Sequence, residues 1–336
     1  MNRRSDDVAW RPLSSADIPA WHRMVGAAGA ADGAEENLTE PDLADELGSP
    51  NVDPPQDSLA AVTAAGEVLA AGLSVGRPVG GPFRRYDLWG AVHPAHRGQG
   101  LGRRLLDWQI DRATRRHRDE RTPVEGWVGA GMAEHRDDLR RLFSRAGMSP
   151  LRWYTGLVRP LTVPIEQPGL PAGVRLVRFD PARSESARLA HNEAWLDHWG
   201  YSPRTPEFWQ AWGPGHRNFR ADWSFLAVDS TDSIVGYVLN FAWQQEWAVK
   251  GRTEGYTELV GVLKPWRGKG LASALLAASH QEFRAAGMQC AALDVDSDNP
   301  TGALRLYQSL GYQPKTRTAL MALRLDPAPN DPGPNG

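Results

Sequence analysis

The chain has a single cysteine, Cys290, in 336 residues. No disulfide can form within it, and a reducing, cytoplasmic setting is the expectation. No apolar run approaches the ~18 residues that a membrane-spanning helix needs. The opening stretch "MNRRSDDVAW" carries charge but no apolar core, so it does not read as a signal peptide. An excess of one charge is missing too. Lys and Arg number 38 against 40 Asp and Glu, a net charge of -2. That leaves no basic footprint for nucleic acid. Lysine is scarce: only Lys250, Lys264, Lys269 and Lys315 occur, beside 34 Gly and 26 Pro. This bias points to a GC-rich bacterial coding genome. His191 and His198 lack partners at ligand spacing, so no metal is assigned.

What is present is length enough for two domains. Residues 161–173 are rich in Pro and Gly and read as a linker. Residues 1–160 and 174–326 then form two halves, and 327–336 reads as a disordered tail. The halves parse alike. Each has a strand, two helices, a hairpin, a strand, a Gly-rich turn, a long helix, a strand, a helix and a closing strand. In the first half the turn is "VHPAHRGQGLGRRLL", and in the second it is "LKPWRGKGLASALL". A repeat this long is a duplication, since solenoid periods run ~20–50 residues.

The shared turn reads Arg-x-x-Gly-x-Gly/Ala: Arg97, Gly100, Gly102 and Arg267, Gly270, Ala272. It lies between a strand and a helix. A helix N-terminus offers unpaired N–H groups and partial positive charge, and glycine lets the backbone approach a bulky anion. Such a turn suits a pyrophosphate. It is not a Walker loop, and it lacks the full dinucleotide fingerprint.

The turn resembles the acetyl-CoA site of the GNAT acyltransferase superfamily. Further on, "DVDSDNPTGALRLYQSLGYQP" resembles that family's last helix. The strand order resembles it over both halves, an arrangement found in tandem-GNAT proteins such as the mycothiol synthases. The resemblance implies an α/β (α+β) chain of two tandem GNAT folds, each a mixed, mostly antiparallel twisted sheet flanked by helices. It implies an acetyl-CoA-dependent N-acetyltransferase acting on a small-molecule primary amine, as a monomer or homodimer.

Site residues follow from the resemblance. In the second half the strand carrying Val260, Gly261 and Val262 would pair with the pantetheine arm. Arg267, Gly268, Lys269, Gly270, Leu271 and Ala272 would hold the pyrophosphate, and Asn299 would touch the cofactor arm. Tyr307 would donate a proton to the departing thiolate. Glu258 is the chosen base, with Glu254 in reserve. With a period of two, Glu258 is expected on one face with Tyr256, Val260 and Val262. Mycothiol synthases carry a glutamate where this chain has Tyr256, which implies a different amine-binding geometry. Tyr256, Trp199 and Trp209 are candidate substrate contacts. Trp195, Trp199, Trp209 and Trp212 either line an aromatic acceptor pocket or pack the core.

The first half keeps the turn, with Val92, Arg97, Gly98, Gln99, Gly100, Leu101 and Gly102 as cofactor-binding candidates. It has Phe143 where the second half has Tyr307, and Asp87 is the one carboxylate on its central strand. It reads as a degenerate, acetyl-CoA-binding domain beside a catalytic second one; the alternative is a first domain weakly active without the tyrosine. The competing functions are an acyl-CoA-binding sensor without turnover, an enzyme similar to the mycothiol synthases and a nucleotide-binding enzyme.

Overall fold

The computed structural model describes residues 8–166, 168–298 and 302–327. Asn299, the tail beyond 327 and the opening seven residues lie outside these. The chain divides into two compact units, Met1–Leu151 with Ala319–Gly336, and Arg152–Thr318.

The first unit begins with β1 (Val8–Arg11), α1 (Ile18–Asp32), α2 (Glu40–Leu47) and α3 (Pro54–Asp57). Then come β2 (Ser58–Thr63), β3 (Val68–Gly76), β4 (Arg84–Val92) and α4 (Leu101–Asp119). It continues through β5 (Gly126–Ala133) and α5 (Asp137–Arg145) into β6 (Ser149–Pro160). Thr39 caps α2 in a capping box with Asp42. Helix α4 buries Leu105, Leu106, Gln109, Ala113 and His117, a stripe at helical spacing. Trp21, Met24, Leu43, Leu47 and Leu73 form a core under α1 and α2.

The second unit holds β7 (Arg175–Arg178), α6 (Ser184–Ala194), α7 (Pro206–Trp212), β8 (Phe225–Val228) and β9 (Ile234–Phe241). It continues with α8 (Trp247–Lys250), β10 (Glu254–Val262), α9 (Leu271–Ala285), β11 (Cys290–Asp296) and α10 (Ala303–Ser309), and β12 (Gln313–Leu325) follows. Thr205 caps α7, with Pro206 at its first position. Alternate strand residues feed two cores. Ala227, Val238, Leu293 and Val295 pack with Leu271, Leu275 and Tyr307. Leu226, Val228, Leu239 and Leu259 pack with α6 and Trp209.

In both units the strand pairing is mixed and mostly antiparallel. The strand order is β1-β2-β3-β4-β5-β12 in the first unit and β6-β11-β10-β9-β8-β7 in the second. In each, one inner pair is parallel: β4 with β5, and β10 with β11. The closing strands differ from the sequence reading. β6 was expected to close the first half, but it pairs with β11 from Cys290↔Pro160 to Asp296↔Tyr154. The end of β12 neighbours β5 in the first unit, where Arg324 pairs with Glu125 at 3.0 Å. The compact units therefore do not follow the expected divisions at 160 and 174. An alternating pattern fixes which face of a strand is buried, but not which sheet it joins.

Candidate functional site: a parted strand pair beside a glycine turn

In the second unit the parallel ladder of β10 and β11 ends at Tyr256↔Ala292. On its other side β10 stays paired with β9 as far as Val262↔Gly236. Beyond Tyr256 the strands part, and the edge of β10 that carries Val260, Gly261 and Val262 has no ladder partner there among the described residues. A free edge of this kind accepts an extended ligand as an added strand. Gly261 is required by packing, because a Cβ there would lie 2.6 Å from the Tyr237 hydroxyl.

The turn follows directly. Gly268 and Gly270 adopt φ of 74° and 78°, and Gly98 and Gly100 in the first unit adopt 75° and 86°. These left-handed values favour glycine. No side chain caps α4 or α9. The first backbone bonds into these helices run from Arg104 N–H to the Gly100 carbonyl and from Ala274 N–H to the Gly270 carbonyl, both at 3.0 Å. The N–H groups of residues 268–273, and of 98–103, meet no acceptor among the described residues. The exposed turn thus presents a row of donors, including those of Leu271 and Ala272 in one copy and of Leu101 and Gly102 in the other. It fits the diphosphate of CoA.

The arginines of the turn are engaged elsewhere. Arg267 donates to the Val262 carbonyl at 3.0 Å, to Asp197 at 3.0 Å and to the Ala194 carbonyl at 2.7 Å. Arg97 donates to the Val92 carbonyl at 3.3 Å and to Asp32 at 2.6 and 2.9 Å. Their side chains tie the turn to α6 and α1, which the sequence reading of a flanking charge did not anticipate. Lys269 is exposed, its ammonium 5.0 Å from the Trp266 ring centre. Gln99 occupies its place in the first unit and is also exposed.

Glu258 sits at an irregularity. Thr257 pairs with Asn240 and Leu259 with Leu239, so Glu258 is an extra residue in β10. The period of two breaks here. Val260 and Val262 pack on the α9 side, while Tyr256 and Glu258 look toward Asp294. The expectation of one shared face is therefore corrected. Glu258 is open to solvent on the gap side yet crowded by protein elsewhere. Burial pushes its pKa up, Arg204 opposes the rise, and the charge of Asp294 adds to it.

Asp294 is a site residue that the sequence reading missed. Its signal was present: a carboxylate between Leu293 and Val295, both buried. Burial raises its pKa too, against a hydrogen bond from Tyr256 at 2.9 Å. The reserve base Glu254 is buried and bound by Lys250 at 2.5 Å and Arg252 at 2.8 Å. Its oxygens are occupied.

Tyr307 lies on α10 in the same core cluster as Val260 and Val262, and burial raises its pKa to about 12. Phe143 stands in its place on α5 of the first unit, equally buried. Trp209 is a core residue, 3% exposed, with its indole N–H on the Ser184 hydroxyl at 3.1 Å. For Trp209 this is the packing alternative. Trp199 is half-buried, its ring 5.2 Å from the Arg152 guanidinium. Among the described residues no three His, Cys, Asp or Glu form a metal cluster, and no helix is long and apolar enough to cross a membrane.

The acetyltransferase (GNAT) family model matches residues 30–124 and 185–312. A mycothiol acetyltransferase of Salinispora tropica is 32% identical over 307 residues, 89% of this chain and 91% of that protein. One from Thermobispora bispora is 34% identical over 228 residues, 66% of this chain and 70% of that protein. Among solved structures, a GCN5-related N-acetyltransferase from Sphaerobacter thermophilus superposes with a TM-score of 0.73 at 27% identity, covering 97% of this chain and 98% of that one. A tandem GNAT protein from the clavulanic acid biosynthesis pathway shares the fold at a TM-score of 0.65 and 18% identity, over 96% of this chain and 100% of that one. The chain belongs to the acetyltransferase (GNAT) family and is an N-acetyltransferase.

Proposed function

We propose that the second unit transfers the acetyl group of acetyl-CoA directly to the primary amine of a small molecule, with both substrates bound together. The observation that carries this reading is the unpartnered edge of β10, flanked by the donor row of residues 268–273 and by Glu258 in the gap. Acetyl-CoA, when bound, supplies the activated thioester. The turn would hold its diphosphate, and the β10 edge at Val260 and Val262 would align its pantetheine arm. A backbone N–H of that edge would polarise the thioester carbonyl.

Glu258 and Asp294 would receive the acceptor as an ammonium ion. Glu258 takes a proton from it, so the neutral amine can attack, and passes that proton to solvent. The new N–C bond forms as the C–S bond breaks. Tyr307 stays protonated through neutral pH and donates toward the departing sulfur. The nitrogen, cationic after attack, gives up its second proton, which returns through solvent to the Tyr307 phenolate. Asn299 keeps its proposed place on the cofactor arm, and Tyr256 and Trp199 border the acceptor. The first unit retains the turn without the acid, and we assign it binding without turnover. The enzyme works in the cytoplasm as a monomer or homodimer.

One acceptor has specific support. A relative matched over nine tenths of its length is named a mycothiol acetyltransferase, so that activity is the first to assay. The decisive experiment is thiol release from acetyl-CoA across a panel of amines, with calorimetric titration of acetyl-CoA, NAD and ATP. Binding of acetyl-CoA without release for any amine would favour a sensor. Binding of NAD or ATP alone would end the reading.

A further inference from the structure

The irregularity in β10 decides where Glu258 points. With an unbroken ladder, position 258 would share the face of Val260 and Val262 and aim its carboxylate at the core under α9. The extra residue turns it into the gap instead. Such an insertion gives up ladder bonds, so something else must hold it.

The groups that hold it are buried and fully matched. The Thr257 hydroxyl donates to Asn240 Oδ1 at 2.8 Å. Asn240 Nδ2 donates to the Trp223 carbonyl at 2.6 Å and to Ser279 Oγ at 2.8 Å. The Asn240 backbone N–H donates to Ser224 Oγ at 2.9 Å, and Ser279 Oγ donates to the Leu275 carbonyl at 3.1 Å. Asn240, Ser224 and Ser279 are 0% exposed and Thr257 is 4% exposed. Buried polar groups without these partners would be costly, so the set specifies one arrangement of the strand.

The first unit supplies an internal control. Ser74 on β3 and Gln109 on α4 occupy the places of Asn240 and Ser279, since Gln109 and Ser279 are each the ninth residue of their helix. There Gln109 Nε2 donates to the carbonyls of Leu73 and Trp89, both at 2.8 Å. The β3–β4 ladder runs unbroken from Ala70↔Val92 to Gly76↔Tyr86, and Ser74 faces Leu88 directly. Where the Thr–Asn–Ser set is absent, so are the extra residue and the carboxylate.

We propose that Thr257, Asn240 and Ser279 are positioning residues that lock the extra residue of β10 and thereby aim Glu258 at the acceptor. The proposal rests on the reading of Glu258 as base. Its test is Thr257→Val, which removes one hydroxyl and keeps the shape. The expected result is a kcat lower by about tenfold or more, with the acetyl-CoA KM within about twofold of wild type. The acidic limb of the pH–rate profile should also move. Thr257→Ser should restore both. Ser279→Ala, at the far end of the lock, should act in the same direction if Thr257→Val fails to fold. Wild-type kcat and pH profile in both Thr257→Val and Ser279→Ala would overturn the lock while leaving the base intact. A joint loss of kcat, acetyl-CoA affinity and thermal stability, without rescue by serine, would make the set merely structural and also overturn it. Glu258→Gln, run in parallel, separates the two ideas: wild-type turnover there removes the base itself, and the lock's catalytic role with it.

Discussion

The Tyr256 hydroxyl donates to Asp294 Oδ2 at 2.9 Å, joining β10 to β11 where their ladder stops. Tyr256 belongs to the last pair, and Asp294 lies two residues beyond it on the other strand, as Glu258 does on its own. The two carboxylates therefore stand at matching distances past the fork. The charge of Asp294 raises the cost of ionising Glu258, and an ammonium ion between them would relieve that cost.

Glu258→Gln should lower kcat by about 10²–10⁴ while leaving acetyl-CoA affinity unchanged. The base must be ionised to act, and its pKa lies above the ordinary glutamate value. Activity should therefore fall on acidification before an unperturbed glutamate would titrate. Asp294→Asn removes a charge that raises the Glu258 pKa, so the acidic limb should shift to lower pH and the amine KM should rise. Steady-state kinetics against pH check both. An unmoved limb in Asp294→Asn would sever the link between the carboxylates.

Tyr307→Phe deletes one hydroxyl from a ring that packs 5.9 Å from Tyr312, centre to centre. Phe143 already fills the matching place in the first unit. Thermal stability should hold, and kcat should drop by about 10²-fold or more if the phenol is a general acid. Equal thiol release from the two proteins would remove Tyr307 from the reaction.

Gly270→Ala places a side chain where φ is 78°. Space is open around it, so the penalty is conformational, about 1–2 kcal/mol, and the donor row is disturbed. Acetyl-CoA should bind about tenfold more weakly by calorimetry, since 1.4 kcal/mol is a factor of ten. Gly100→Ala, at φ of 86° in the first unit, should leave turnover unchanged. Loss of activity in Gly100→Ala would give the first unit a part in the reaction.

Two buried histidines should make the second unit acid-sensitive. Burial and the charges of Arg204 and His198 hold the His191 pKa at about 2, and burial with Arg159 holds that of His280 at about 3. Above the unfolded value of about 6.5 both states are neutral. As pH falls below it, the unfolded chain takes up protons that the fold refuses. Stability should decline by about 1.4 kcal/mol per pH unit for each histidine, continuing toward the folded values. Urea midpoints at pH 7.5 and 5.5 measure this. His280→Gln keeps a side chain that can donate to or accept from the Tyr312 hydroxyl, which lies 2.8 Å from His280 Nε2, and should shallow the slope by one proton.

Much of this was legible in the residues. β4 spans the nine residues of "RRYDLWGAV", and the hairpin from β2 to β3 turns at Ala65-Gly66. Helices α4 and α9 start at the glycine turns because the φ > 0 requirement is written in the sequence itself. The bulge at Glu258 was not legible, because it depends on Asn240 and Ser279, distant in sequence and polar for no local reason. Nor were the partners of Arg97 and Arg267: Asp32 and Asp197 lie at helix ends whose closeness to the turn is a tertiary fact. Asp294 alternated correctly with Leu293 and Val295, yet period alone does not distinguish a solvent face from a reactive one.

The fate of β12 has a consequence for biosynthesis. During translation the amino-terminal lobe lacks its last strand until the residues from Ala319 onward have left the ribosome, because they belong to that lobe. The carboxy-terminal lobe, whose β6 strand is made early, has no such wait for its edge. A gene cut at the apparent midpoint would yield two fragments, each carrying the other's missing piece.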